Sequence, residues 1–110
     1  MFSAAFIWEP GIYDAEFNEL NALIEGAAIA APGYLGVEEW KSEDGKLRNA
    51  IYYWENLEGL KVLSQHPKHL EAKQKYSQWY NGYHIVISEV IRSYGDSAFA
   101  NFTPSKRGAA

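Results

Sequence analysis

The sequence predicts an α+β domain of the ferredoxin-like kind, βαββαβ, with a four-stranded antiparallel sheet and two helices on one of its faces. Strand-like and helical stretches follow one another in that order, the split βαβ arrangement. Asp44-Gly45 joins the second and third strand runs as a hairpin signal. Several strands are apolar on both sides, which two helices on a single face leave half uncovered.

Phe2 to Trp8 (FSAAFIW) is nearly all apolar and stops at Glu9-Pro10-Gly11, which reads as a first strand ended by a turn. Asp14 is placed to cap a helix, its carboxylate accepting from the free amides of the first turn. Phe17, Leu20, Ile24, Ala27, Ala28 and Ala31 follow at helical spacing, and Pro32-Gly33 stops them. Tyr34 to Glu43 is a second, more polar strand suited to a sheet edge, and Lys46 to Glu55 is the third. Asn56 caps a short helix with Leu57, Leu60 and Leu63. Pro67 disfavours helix at His66, so the helix breaks there and restarts, running to about Tyr80. Tyr83 to Tyr94, rich in β-branched and aromatic residues, is the fourth strand.

Residues 1–95 therefore form one domain, and 96–110 form a C-terminal tail of small and polar residues in which Phe99 and Phe102 are candidates to dock on a partner. Right-handed crossovers put both helices on the same face. Yet Ala50-Ile51-Tyr52-Tyr53-Trp54 and Ile85-Val86-Ile87 are apolar on both faces, and no third helix covers the other side. A second copy, packed sheet to sheet as a two-fold homodimer, meets that need.

At 110 residues the chain suffices for one modest core, and 47% hydrophobic with 22% charged residues is ordinary for a globular domain. A net charge of -4 argues against nucleic acid, which needs clustered cations; the one tight basic doublet, Lys106-Arg107, lies in the tail. With no cysteine there is no disulfide, thiol nucleophile or thiolate metal site. No apolar run approaches the roughly 20 residues of a membrane span, and the N-terminus lacks a basic signal region. The expectation is a cytoplasmic protein with no membrane partner. Aromatics stand out at 15%, with 4 Trp and 8 Tyr, as expected of a cavity wall or a subunit interface.

On the second helix His69, Ala72, Tyr76, Trp79, Tyr80 and, just beyond it, Tyr83 recur at about three, four and seven residues and form one stripe. As a site, the stripe offers flat surface to a planar ligand, with His69 as general base near neutral pH. Core packing on the sheet produces the same stripe. His66 and His69 lack a third and fourth ligand, and His66 suits a cap, so no metal is expected. Glu38, Glu39 and Glu43 read as solvated edge charges. Of Tyr53 and Trp54, one faces the helices and the other the partner. No glycine-rich phosphate loop or nucleotide fingerprint is present.

The segments Pro32-Gly33-Tyr34-Leu35-Gly36, Tyr53-Trp54-Glu55, His66-Pro67-Lys68-His69, Trp79-Tyr80 with Tyr83, and Arg92-Ser93-Tyr94-Gly95 resemble the antibiotic biosynthesis monooxygenase family of the dimeric α+β barrel superfamily. The resemblance spans most of residues 1–95. It implies a homodimer and a cavity between sheet and helices for an electron-rich phenol or quinol that itself activates dioxygen, with no cofactor. The haem-degrading branch is similar in fold, but its helix-borne His position falls on Lys73 and its Trp on Leu63. That departure implies no haem degradation here. Leu63 also replaces a Trp common more widely in the family.

The expected function is a cofactor-independent monooxygenase acting on an aromatic phenol or quinol-type small molecule. His69 is the catalytic candidate, and Tyr53, Trp54, Tyr76, Trp79, Tyr80 and Tyr83 are the substrate-binding candidates. The alternative is a non-catalytic dimeric barrel that binds a small ligand or serves in stress tolerance. Cavity size separates the two.

Overall fold

A computed structural model of the chain describes residues 1–96 and 98. The elements run β1 (Phe2–Pro10), α1 (Ala15–Ala30), β2 (Tyr34–Lys41), β3 (Arg48–Trp54), α2 (Leu57–Ser64), α3 (Pro67–Lys75), a 3-10 turn (Tyr76–Gln78) and β4 (Tyr80–Glu89). The sheet is antiparallel with strand order β2-β3-β1-β4, so β1 and β3 are central. This is the ferredoxin-like α+β architecture.

The caps form as the sequence predicts. Asp14 accepts from the Phe17 amide at 2.8 Å to open α1, and Asn56 accepts from the Glu58 amide at 3.1 Å to open α2. His66 caps α3, its Nδ1 accepting from the Lys68 amide at 3.1 Å, with Pro67 in the first turn.

Partnered residues on neighbouring strands share a face. Phe2, Ala4, Phe6 and Trp8 of β1 pair with Trp54, Tyr52, Ala50 and Arg48 of β3, on the face that the helices cover. Trp54 is fully buried there, packed with Ala28, Ala31 and Leu63 and flanked by Ile24, Tyr34, Tyr52 and Leu60. Small alanines on α1 let the helix close onto the large indole. The alternate residues, among them Ile7, Ile51, Tyr53 and Val86, face away from the helices. Among the described residues no element covers that side.

Four boundaries differ from the sequence reading. β1 continues through Glu9 and Pro10, where the sequence placed a turn. Asp44-Gly45 is not a two-residue turn. The Gly45 amide bonds the Ser42 carbonyl and the Ser42 amide bonds the Leu47 carbonyl, both at 2.9 Å, so residues 43–46 form the loop. Asp44 uses its carboxylate on the Ser42 hydroxyl (2.7 Å) and the Lys46 amide (3.0 Å), stabilising this longer turn; the strands therefore stop at Lys41 and resume at Arg48. The second helical stretch ends at Lys75, not Tyr80. β4 spans Tyr80–Glu89 instead of Tyr83–Tyr94, because a register shift at Glu9/Pro10 lets Tyr80 pair with Pro10. Phe99, Phe102 and the Lys106-Arg107 doublet lie outside the described residues.

Candidate functional site

Aromatic side chains gather where the ends of β1 and β4 meet the start of α1. Alternation along β1 puts Phe6 and Trp8 on the helix-covered face, stacked with centroids 4.9 Å apart. Tyr80 meets Phe6 edge-on at 5.6 Å and lies tilted against Trp8 at 6.0 Å, and Tyr83 lies 5.8 Å from Phe6. Phe17, in the first turn of α1, reaches down to Tyr80 (5.9 Å) and Trp79 (5.4 Å). Tyr13 stacks on Phe17 at 4.1 Å and accepts a hydrogen bond from the Trp8 indole at 2.9 Å. Offset and edge-on contacts of this kind each add about 0.5–1.5 kcal/mol to the area buried.

Trp79 is fixed on three sides. Its carbonyl accepts from the Gly11 amide at 2.7 Å, its indole N–H donates to Asp14 at 3.0 Å, and Phe17 lies across its ring. Only 2% of it is exposed. Beside it lies a cavity of about 30 Å3 lined by Phe17, Leu20, Asn21, Ile24, Ala72, Trp79 and Tyr80. That space suits roughly one water molecule.

The six substrate-binding candidates and His69 separate into distinct places. Trp79 and Tyr80 line the cavity, and Ala72 of the predicted stripe joins them. Tyr76 lies at the rim, where its ring packs edge-on against Tyr83 at 4.8 Å and both are partly exposed. Trp54 belongs to the core beneath α1 and α2, with its indole N–H unpartnered. Tyr53 points to the open side of the sheet, where its hydroxyl donates a short hydrogen bond to Glu38. His69 lies outside the cavity lining, one helical turn before Ala72. The single helical stripe dissolves because α3 ends at Lys75 and the chain turns into β4 between Trp79 and Tyr83.

The electrostatics follow burial. Burial pushes the His69 imidazole below its usual value, and the nearby Lys73 charge adds to this while the Ser64 backbone opposes it. Its Nδ1 is buried without a partner. Burial also raises the Tyr80 phenol, with Tyr13 and Tyr52 adding to the effect. The Tyr52 phenol is pushed up to about 12, by burial first and then by the Glu39 carboxylate. Asp14 is held below the usual carboxylate range, chiefly by the Phe17 amide and also by the Trp79 indole. The site therefore offers protonated phenols and one ionised carboxylate, and outside its lining, one helical turn before Ala72, stands an imidazole neutral near pH 7. Among the described residues no three His, Asp or Glu side chains cluster as metal ligands.

Sequence reasoning missed Phe6, Tyr13, Phe17 and Asp14 as members of this assembly. The i, i+2 spacing of Phe6 and Trp8 on one strand was a usable signal. The Asp14–Trp79 contact left none, since it joins residues 65 apart.

No family model matches the chain. It is 30% identical over 80 residues to the uncharacterized protein YqjZ of Bacillus subtilis, a match covering 72% of this chain and 69% of that one. Among solved structures, SnoaB of Streptomyces nogalater, a cofactor-independent oxygenase, superposes with a TM-score of 0.66 at 12% identity, covering 84% of this chain and 94% of that one. A Deinococcus radiodurans protein named after the antibiotic biosynthesis monooxygenases gives 0.67 at 15% identity, covering 86% and 97%. At those identities the structural likeness speaks for the fold.

Proposed function

Because the chain belongs to the family of Bacillus subtilis YqjZ by sequence and to the antibiotic biosynthesis monooxygenase-like proteins by fold, we propose that it is a homodimeric, cofactor-independent oxygenase of a small phenol or quinol. The observation that carries this reading is the aromatic wall of Phe6, Trp8, Tyr80 and Tyr83, half-open at the Tyr76–Tyr83 rim. Such a wall takes a planar ring by stacking and edge-on contact. An electron-rich substrate supplies the electrons for dioxygen itself. The chain's part is to hold the ring and accept its proton, which we assign to His69, kept neutral near pH 7 by burial. The domain is residues 1–95, followed by the tail, in a cytoplasmic dimer formed through the open side of the sheet.

A second reading is a non-catalytic dimeric barrel that binds a small ligand. The cavity volume of about 30 Å3 counts against turnover of a polycyclic phenol, which needs several hundred Å3.

Oxygen consumption with a panel of phenols and quinols, comparing wild type with His69→Ala, separates them. Saturable uptake that falls at least about tenfold in the variant, or about 1.4 kcal/mol of transition-state stabilisation, supports the oxygenase. No uptake from a folded protein that still binds members of the panel leaves the binding barrel.

A further inference from the structure

The open side of the sheet is polarised from edge to edge. Across the four strands Trp40, Asn49, Ile7 and His84 form one row of partners, so Trp40 on β2 and His84 on β4 stand at opposite edges. The Trp40 indole donates to Glu38 Oε2 at 3.2 Å, and Tyr53 donates to the other carboxylate oxygen. Between these edges lie the apolar Ala5, Ile7, Ile51 and Val86, with the polar Asn49, Ser3 and Ser88 among them. Trp40 is 54% exposed, and no Lys or Arg of the strands points to this side.

We propose that a second copy stacks on this side with its two-fold axis along the strands, so that each His84 lies on the partner's Trp40–Glu38 pair. The proposal rests on the dimer reading above and adds its register. A two-fold axis between the sheets and parallel to the strands exchanges their edges but keeps each row at its own height. The β4 edge of one copy then meets the β2 edge of the other, and the row containing His84 meets the row containing Trp40. Glu38, one row along, already brings its carboxylate to the Trp40 indole, so the same imidazole meets both members of the pair. An axis across the strands instead sets β2 on β2 and carboxylate near carboxylate, a repulsive arrangement. Charge complementarity therefore selects the first packing. It also gives the exposed Trp40 an occupant: an indole face accepts an imidazolium, and a central Trp is a common anchor of interfaces.

The arrangement makes association depend on pH. His84 faces its own chain's Glu9, diagonal to it across the β1–β4 ladder, in either state, whereas the partner's Glu38 faces it only in the dimer. The Tyr53 hydroxyl also faces Glu38, donating to it. Protonating His84 therefore favours the dimer.

Sedimentation velocity on the full chain, across a concentration series at about pH 7.5 and about pH 5.5, tests this. The dimer is expected to tighten about fivefold at the lower pH. His84→Glu is expected to weaken it by about tenfold or more at the higher pH, and Glu38→Lys in the same chain to restore most of the loss. Circular dichroism checks folding; His84 is solvent-exposed and Glu38 partly so in the single chain. A wild type that is monomeric throughout overturns the dimer reading and this register with it. A wild-type dimer whose His84→Glu variant associates within about twofold of it, at both pH values, overturns the register alone.

Discussion

The indole N–H of Trp79 donates to Asp14 Oδ1 at 3.0 Å, and the same oxygen accepts the Phe17 amide at 2.8 Å. One carboxylate oxygen thus caps α1 and fastens the turn that leads into β4. Because both bonds favour the ionised form, Asp14 titrates lower in the folded chain than in the unfolded one. A lowered carboxylate contributes stability that is complete above the ordinary Asp range and is lost as pH falls through the folded value. Asp14→Ala should lower the urea midpoint at pH 7, and Asp14→Asn, which keeps an acceptor, should lower it less. The gap between wild type and Asp14→Asn should close as pH falls from about 5 towards 2; a gap that persists would refute the ionised cap.

Trp79 extends that argument to ligand size. Truncating a buried Trp to Ala costs about 3–5 kcal/mol and leaves a void where the ring was. Trp79→Ala should therefore be markedly destabilised in urea, yet gain affinity for free indole by calorimetry, since the ring borders the cavity of about 30 Å3. Indole binding no better than to wild type would show that the space collapses.

His69 gives a pH dependence near neutrality. Its imidazole lies below the usual 6.5 in the folded chain, chiefly from burial. For a base so lowered, the folded state favours the neutral form. Stability is full above about pH 6.5, falls as pH drops below it and levels off beneath the folded value. His69→Gln removes that component. Wild-type urea midpoints should fall more steeply than those of the variant between about pH 7.5 and pH 5, and parallel slopes would count against a buried imidazole.

Gly59 reports on how closely α2 lies against its neighbours. A methyl group there would overlap the Pro32 carbonyl and come within 2.9 Å of the Trp54 ring. Helix propensity alone would favour Ala by about 1 kcal/mol. Overpacking should win, so Gly59→Ala is expected to lose about 1–3 kcal/mol in urea denaturation. A stabilised variant would mean that α2 is free to lift from the core.

The elements were legible because local chemistry marks them. Asp14, Asn56 and Pro67 place three helix starts, and the alternating or wholly apolar runs place four strands. What escaped is long-range. Asn81-Gly82 resembles a turn, yet β4 begins at Tyr80 because the shift at Glu9/Pro10 offers it a partner. Tyr76, Trp79 and Tyr83 share a helical period but occupy a rim, a cavity wall and a strand, since periodicity carries no notice of where a helix stops. The aromatic assembly around Tyr80 depends on Phe6 and Phe17, which sequence alone assigned to a strand and to a helix face without joining them. Chain composition registered an aromatic excess; only the sheet register told which rings meet.

β1 is a central strand bonded on one side to residues 48–54 and on the other to residues 80–89. It leaves the ribosome before either partner. During synthesis its apolar run from Phe2 to Trp8 waits unpaired for β3, and then half-paired until β4 emerges. The sheet therefore closes late and through distant contacts, which slows folding and prolongs the time for which a sticky nascent segment is exposed. This chain should lean more on holding chaperones during translation than a helical bundle of the same length.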